Sequence, residues 1–67
     1  MDITDALTLF ERLGVDVLSL SAREFSLAYY RLAKRYHPDQ GNDALHDLMA
    51  NINAARTTIL NAYRHRN

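Results

Sequence analysis

Apolar residues recur at helical spacing in three segments of the chain, and its two glycines and single proline separate these segments. The first segment predicts a short helix at residues 4–13. Asp2 or Thr4 is placed to cap its start, and Gly14 is a natural residue to end it. The apolar positions of this helix are Ile3, Ala6, Leu9, Phe10 and Leu13.

The second segment predicts a helix at residues 21–36 whose start is strongly specified. Ser21 followed by Glu24 has the pattern of a capping box, in which each side chain accepts a hydrogen bond from a free backbone N–H of the first turn. Leu20, before the cap, is placed to pack on Phe25 as a hydrophobic staple. One face of this helix is apolar and carries Phe25, Ala28, Leu32 and Tyr36.

The third segment predicts a helix at residues 43–62, capped by Asn42 or Asp43. Its apolar stripe consists of Leu45, Leu48, Met49, Ile52, Ala55 and Ile59, extended by Leu60 and Tyr63. Because a short polar link joins the second and third segments, they are expected to be antiparallel neighbours. The sequence therefore predicts a single all-α domain over residues 1–67, an antiparallel helical hairpin with the short N-terminal helix packed across it.

Charge is balanced over the whole chain but segregated along it. Eight basic and eight acidic residues give a net charge of zero, which argues against a domain devoted to nucleic acid. Residues 21–36 hold four basic residues and one acidic residue, a net charge of +3, whereas residues 1–16 hold four acidic residues and one basic residue, a net charge of −3. This segregation indicates a basic face suited to an acidic partner.

The residue types that the chain lacks exclude several classes of chemistry. The absence of Cys excludes disulfides, thiol catalysis and Cys-ligated zinc. His46 and His65 lack ligand-like spacing with His37, so no metal site or other cofactor is predicted. No apolar run approaches the length of a membrane span, and the N-terminus opens with an acid and lacks the basic start of a signal peptide. We expect a cytoplasmic monomer that binds neither membrane nor nucleic acid.

The tripeptide His37-Pro38-Asp39 follows the second helix directly and is the main candidate for function. Pro38 disfavours helical geometry at His37 and partly preorganises the loop. Asp39 offers two acceptor oxygens, suited to an arginine of a partner. The competing interpretation is a plain turn that stops the helix. An acid–base pair of His37 and Asp39 is disfavoured, because a nucleophile and an obvious pocket are lacking, and the chain is not expected to be an enzyme.

Three motifs in this order resemble the J domain of DnaJ-type co-chaperones. The first is Leu13-Gly14-Val15, the second is the run "AYYRLAKRYHPD" at residues 28–39, and the third is Ile52-Asn53 on the third helix. The resemblance spans about residues 5–61, nearly the whole chain. A lone His-Pro-Asp would be weak evidence, but here it follows a capped basic helix and precedes an apolar one, which makes the combination specific.

The resemblance implies a partner and a surface for it. J domains bind DnaK-type heat-shock chaperones of seventy kilodaltons and stimulate their ATP hydrolysis without doing chemistry themselves. The basic face of the second helix docks on an acidic patch of the chaperone, and the His-Pro-Asp loop touches the junction between its ATPase domain and linker. Carried over to this chain, the loop is His37, Pro38 and Asp39, and the helix face is Arg31, Lys34 and Arg35, with Tyr29 and Tyr30 as further candidates for contact.

The chain departs from the family pattern at several positions. Ser26, Leu27, Tyr30 and Gln40 stand where basic residues are common, and Arg56 stands where an aromatic is common. Docking is therefore expected to be weaker, or tuned to a more apolar patch. The 67 residues contain no Gly/Phe-rich linker, zinc module or fourth helix. The alternative function is a J-like helical module that recruits another partner without stimulating an ATPase.

Overall fold

The computed structural model describes residues 1–37 and 42–65, and these form three α-helices and one short 3₁₀ turn. The helices are α1 (Ile3–Arg12), α2 (Ala22–Arg35) and α3 (Asp43–Arg64), and the 3₁₀ turn spans Val17–Ser19. No strand occurs in the described part of the chain, so the predicted all-α class is confirmed. The 3₁₀ turn was not predicted, because three residues are too few to show a periodicity.

Local hydrogen bonds place the ends of α1. The Asp2 side chain accepts a hydrogen bond from the Asp5 backbone at 2.8 Å, so Asp2 and not Thr4 is the cap. At the other end Gly14 has a φ of +87°, a conformation that costs other residues about 1–2 kcal/mol. The Gly14 amide donates to the Glu11 carbonyl at 3.0 Å and the Val15 amide to the Phe10 carbonyl at 2.9 Å. These two bonds close the helix as a Schellman motif.

The capping box at the start of α2 forms as predicted. The Glu24 amide donates to the Ser21 hydroxyl oxygen at 3.1 Å, and the Ser21 amide donates to a Glu24 carboxylate oxygen at 2.9 Å. The hydrogen bond from the Ser21 backbone, followed by that from its side chain, lowers the pKa of the Glu24 carboxyl. The start of α2 is therefore held by contacts within four residues.

Packing between the helices builds the core. The helix α1 lies against α3, and α2 completes an antiparallel hairpin with α3, as predicted. The rings of Phe10 and Phe25 meet edge to face with centroids 5.0 Å apart, and both side chains are fully buried. The buried core consists of Ala6, Phe10, Val17, Phe25, Leu32, Ile52, Ala55 and Ile59.

Some predicted core positions lie at its edge. Ile3, which the spacing placed on the apolar face of α1, is the first residue of that helix and is 41% exposed. Leu48 and Met49 pack against the core but remain partly exposed. The half-buried Tyr63 closes the opposite edge, where its hydroxyl donates a hydrogen bond to the Leu20 carbonyl at 2.7 Å. This bond ties the end of α3 to the connection that leads into α2.

None of the described helices combines the length and the apolar character that a bilayer crossing requires.

Candidate partner-docking surface

The basic residues predicted for docking lie together on the outer side of α2. Arg31, Lys34 and Arg35 are all exposed. Within residues 1–37 and 42–65 none of them forms an ion pair, so their charges face solvent and are available to a partner. The guanidinium of Arg35 lies over the ring of Tyr36, 5.5 Å from its centroid, and this contact orients one of the three charges.

Two large apolar side chains interrupt this basic surface. Leu27 is 54% exposed and Tyr30 is 58% exposed. Residues three and four apart are neighbours on a helix, so Leu27 and Tyr30 form one continuous strip with Arg31 and Lys34. We call these four residues the α2 ridge. Buried aromatic and arginine side chains dominate the affinity of many protein interfaces, so the ridge has the composition of an anchor.

Tyr29 has a different role from Tyr30. It is half-buried, and its hydroxyl lies 2.6 Å from the Oδ1 atom of Asn53, to which it donates a hydrogen bond across the α2–α3 hairpin. The Arg56 guanidinium lies over its ring, 4.7 Å from the centroid. Tyr29 is therefore half-buried and not exposed, because its ring and hydroxyl are engaged by α3. Its contact with a partner stays a prediction.

The Tyr29 assembly supports the exposed ring beside it. The rings of Tyr29 and Tyr30 are 5.6 Å apart at an angle of 59°. Since Tyr29 is held by a hydrogen bond and by a cation on its face, Tyr30 rests on a braced neighbour. A side chain that is ordered before binding loses less entropy when a partner immobilises it.

Sequence reasoning missed this bracing role of Asn53 and Arg56. In the sequence, Asn53 stands out only as part of the Ile52-Asn53 motif, and Arg56 only as a departure from the family pattern. Their spacing of three residues places them on one side of α3, and this was the signal in the sequence that they could contact the same neighbour. Their common partner lies on another helix, and helical spacing within one segment does not identify such a partner. The Nε atom of Arg56 is buried and has no hydrogen-bond partner among the described residues, so the contact with the Tyr29 ring is the interaction seen for this guanidinium.

The His-Pro-Asp loop begins where the basic face ends. Tyr36 caps α2, and the exposed His37 follows it. Pro38, Asp39 and Gln40 lie outside the described residues. On the far side of the loop, the Asn42 side chain accepts a hydrogen bond from the Leu45 amide at 3.2 Å and caps α3. Capped helix ends therefore flank the loop, and the roles of its three motif residues remain predictions.

The described residues contain no group of three or more His, Cys, Asp or Glu side chains that is arranged to hold a metal ion. No protein-family model, curated protein or solved structure matches this chain. The likeness to J domains therefore rests on the residues and spacing given under Sequence analysis.

Proposed function

We propose that this chain is a J-domain co-chaperone that docks on a DnaK-type heat-shock chaperone of seventy kilodaltons and stimulates its ATP hydrolysis through the His37-Pro38-Asp39 loop. The observation that carries the proposal is the exposed basic face of α2, whose cations form no ion pair with any described residue and which leads directly into that tripeptide. The proposal assigns no reaction to the chain itself. The chemistry belongs to the chaperone, and the co-chaperone contributes contacts.

The basic face would act first, during encounter. Three exposed cations on one side of a short helix attract an acidic patch and speed association, an effect that salt weakens over about 10 Å at 0.1 M ionic strength. The ridge residues Leu27 and Tyr30 would then exclude water from the contact. Because α2 is capped at its start and braced by α3 through Tyr29, the surface is formed before the partner arrives.

The loop would act second, at the chaperone. Docking of α2 brings the tripeptide to the partner, since only Tyr36 separates the helix from His37. In this proposal Asp39 accepts hydrogen bonds from a partner arginine, and Pro38 limits the conformations from which the loop starts. His37 completes the loop as a hydrogen-bond donor or acceptor. These contacts would favour the chaperone conformation that hydrolyses ATP.

Asp39→Asn tests this proposal, because it retains the size of the side chain and removes its charge. A charge-assisted hydrogen bond is worth about 1.5–3 kcal/mol, so the variant is expected to lower the stimulated rate roughly tenfold or more. The assay is single-turnover hydrolysis of ATP by a DnaK-type chaperone at limiting co-chaperone. A urea melt of each protein shows that the fold is retained. Asp47→Asn is the matched control, because Asp47 is an exposed acid on α3 that belongs neither to the tripeptide nor to the basic face of α2.

Three results would count against the proposal. A wild-type chain that never stimulates the chaperone removes the function itself. An Asp39→Asn variant that stimulates normally reduces the tripeptide to a turn. A chain that binds the chaperone or another protein without changing ATP turnover supports the alternative, a J-like recruiting module, which the exposed Leu27 and Tyr30 would also serve.

A further inference from the structure

An apolar groove, lined by none of the α2 ridge residues, lies elsewhere on the surface. It has a volume of about 280 Å³ and opens between α1, the 3₁₀ turn and the end of α3. A second recess of about 350 Å³ continues it along α1, sharing Leu7, Val17 and Leu18. We call the two together the α1 groove. Leu18 forms part of its wall and is 82% exposed, so it adds to the apolar surface that lines the groove. Its apolar lining includes Ile3, Leu7, Val17, Leu18, Ile59 and Tyr63.

The second recess is acidic. Glu11 and Asp16 are part of its lining, and both are exposed. Neither carboxylate forms an ion pair or a side-chain hydrogen bond within the described ranges 1–37 and 42–65. The 3₁₀ turn begins after Asp16 without using its side chain as a cap. These two charges therefore have no structural task within the described part of the domain, and they lie beside an uncovered apolar surface.

The α2 ridge has the opposite charge and the same apolar character. Leu27 and Tyr30 supply exposed apolar surface, and next to them Arg31 and Lys34 supply two cations that have no ion-pair partner among the described residues. The groove thus pairs apolar surface with carboxylates, and the ridge pairs apolar surface with cations. One chain carries both surfaces, and its net charge is zero because acidic and basic residues balance. The groove acids lie in residues 1–16, whose net charge is −3, and the ridge cations lie in residues 21–36, whose net charge is +3.

We propose that two copies of this chain associate, with the α2 ridge of one copy seated in the α1 groove of the other. Leu27 and Tyr30 cover the apolar lining and Leu18, while Arg31 and Lys34 meet Glu11 and Asp16. The ridge contributes four side chains to this contact, so we place the association in the weak class of protein interfaces, which depends on concentration. Screening of its charges makes it sensitive to salt.

This association would bear on the proposed function, although it does not depend on it. The ridge is also the surface proposed to dock on the chaperone, so a copy whose ridge is covered is unavailable for docking. Self-association would then hold part of the protein in reserve at high concentration. The test of the contact itself contains no chaperone, and its failure leaves the proposed function untouched.

Two charge-reversed variants test the contact in sedimentation equilibrium at chain concentrations up to about 1 mM, the range expected for a weak interface. One variant reverses the groove with Glu11→Lys and Asp16→Lys, and the other reverses the ridge with Arg31→Glu and Lys34→Glu. The wild type is expected to associate, roughly tenfold more weakly when salt rises from about 0.05 M to 0.5 M. Each variant alone is expected to stay monomeric, because its groove and ridge now carry like charges.

Mixing the two variants is the decisive step. The positive groove of the first variant then fits the negative ridge of the second, and the unchanged surfaces of the two also fit each other, so association at the wild-type level should return. Circular dichroism melts check that all three proteins are folded, which is expected because the four exchanged residues are exposed. A wild type that stays monomeric at low salt, variants that associate as the wild type does, or a mixture that stays monomeric would each overturn the proposal.

Discussion

Tyr63→Phe removes a single hydroxyl and retains the ring, and it tests how the end of α3 is fixed to the connection into α2. The hydroxyl donates to the Leu20 carbonyl at 2.7 Å, and the ring packs 6.1 Å from that of Phe25. A hydrogen bond contributes about 0.5–1.5 kcal/mol net, and a buried acceptor left without a donor costs about 1–3 kcal/mol. Leu20 is half-buried, so water can reach part of this site, and the cost of the acceptor left without a donor lies at the lower end of its range. We expect a loss of about 1–1.5 kcal/mol in the free energy of unfolding.

This loss is large for so small a domain and is easy to measure. With an m-value of about 1 kcal/mol per molar urea, the midpoint should fall by about 1 M. A thermal melt should show a decrease of about 5–10 °C. The slope of the urea transition should not change, since no packing surface is removed.

Tyr30→Phe is the matched control, because it removes the same group from an exposed ring whose hydroxyl makes no hydrogen bond within the described residues. Its unfolding free energy should stay within about 0.3 kcal/mol of the wild type, as for most surface substitutions. If the Tyr63 and Tyr30 variants melt alike, the bond to Leu20 does not stabilise the fold and the account of this edge is wrong.

Further predictions concern the helix ends and the charged face. Ser21→Ala should lower the unfolding free energy by about 1 kcal/mol in a urea melt, and a change below about 0.3 kcal/mol would contradict the role of the cap. Folding lowers the pKa of the Glu24 carboxyl, so the stability that this group contributes is present above the pKa of an unfolded glutamate and is lost as the pH falls through the folded pKa. The unfolding free energy of a Glu24→Gln variant should therefore fall less between pH 6 and pH 3 than that of the wild type. Equal falls in unfolding free energy for the two proteins would refute this. Gly14→Ala should cost about 1–2 kcal/mol from backbone strain alone, since a Cβ there would meet no atom within 4 Å; a neutral melt would show that the backbone relaxes at no cost. If a DnaK-type chaperone is the partner, as proposed, reversal of Arg31 and Arg35 to Glu should chiefly slow association with it in stopped-flow binding. Association rates that change with neither the reversal nor salt would assign docking to the apolar residues.

The sequence determined the helices and their ends because those signals are local. The capping box of Ser21 and Glu24, the cap at Asp2 and the turn at Gly14 each involve residues within five positions of one another, so a linear reading contains every partner. The apolar stripes placed Phe10, Phe25 and Ile52 in the core for a similar reason, since one face of each helix must be buried. The His-Pro-Asp loop was also visible, although its function rests on resemblance and remains a proposal.

The tertiary structure alone decided which side chains face a partner and which brace the domain. Adjacent tyrosines on α2 look equivalent in sequence, but Tyr29 meets Asn53 across the hairpin whereas Tyr30 remains exposed. Ile3 follows the helical spacing and yet is 41% exposed. The α1 groove joins residues from the two ends of the chain, Leu7 and Tyr63 among them. The exposure and contacts of these side chains depend on where one helix lies against another. The spacing of residues within a single helix does not specify that position.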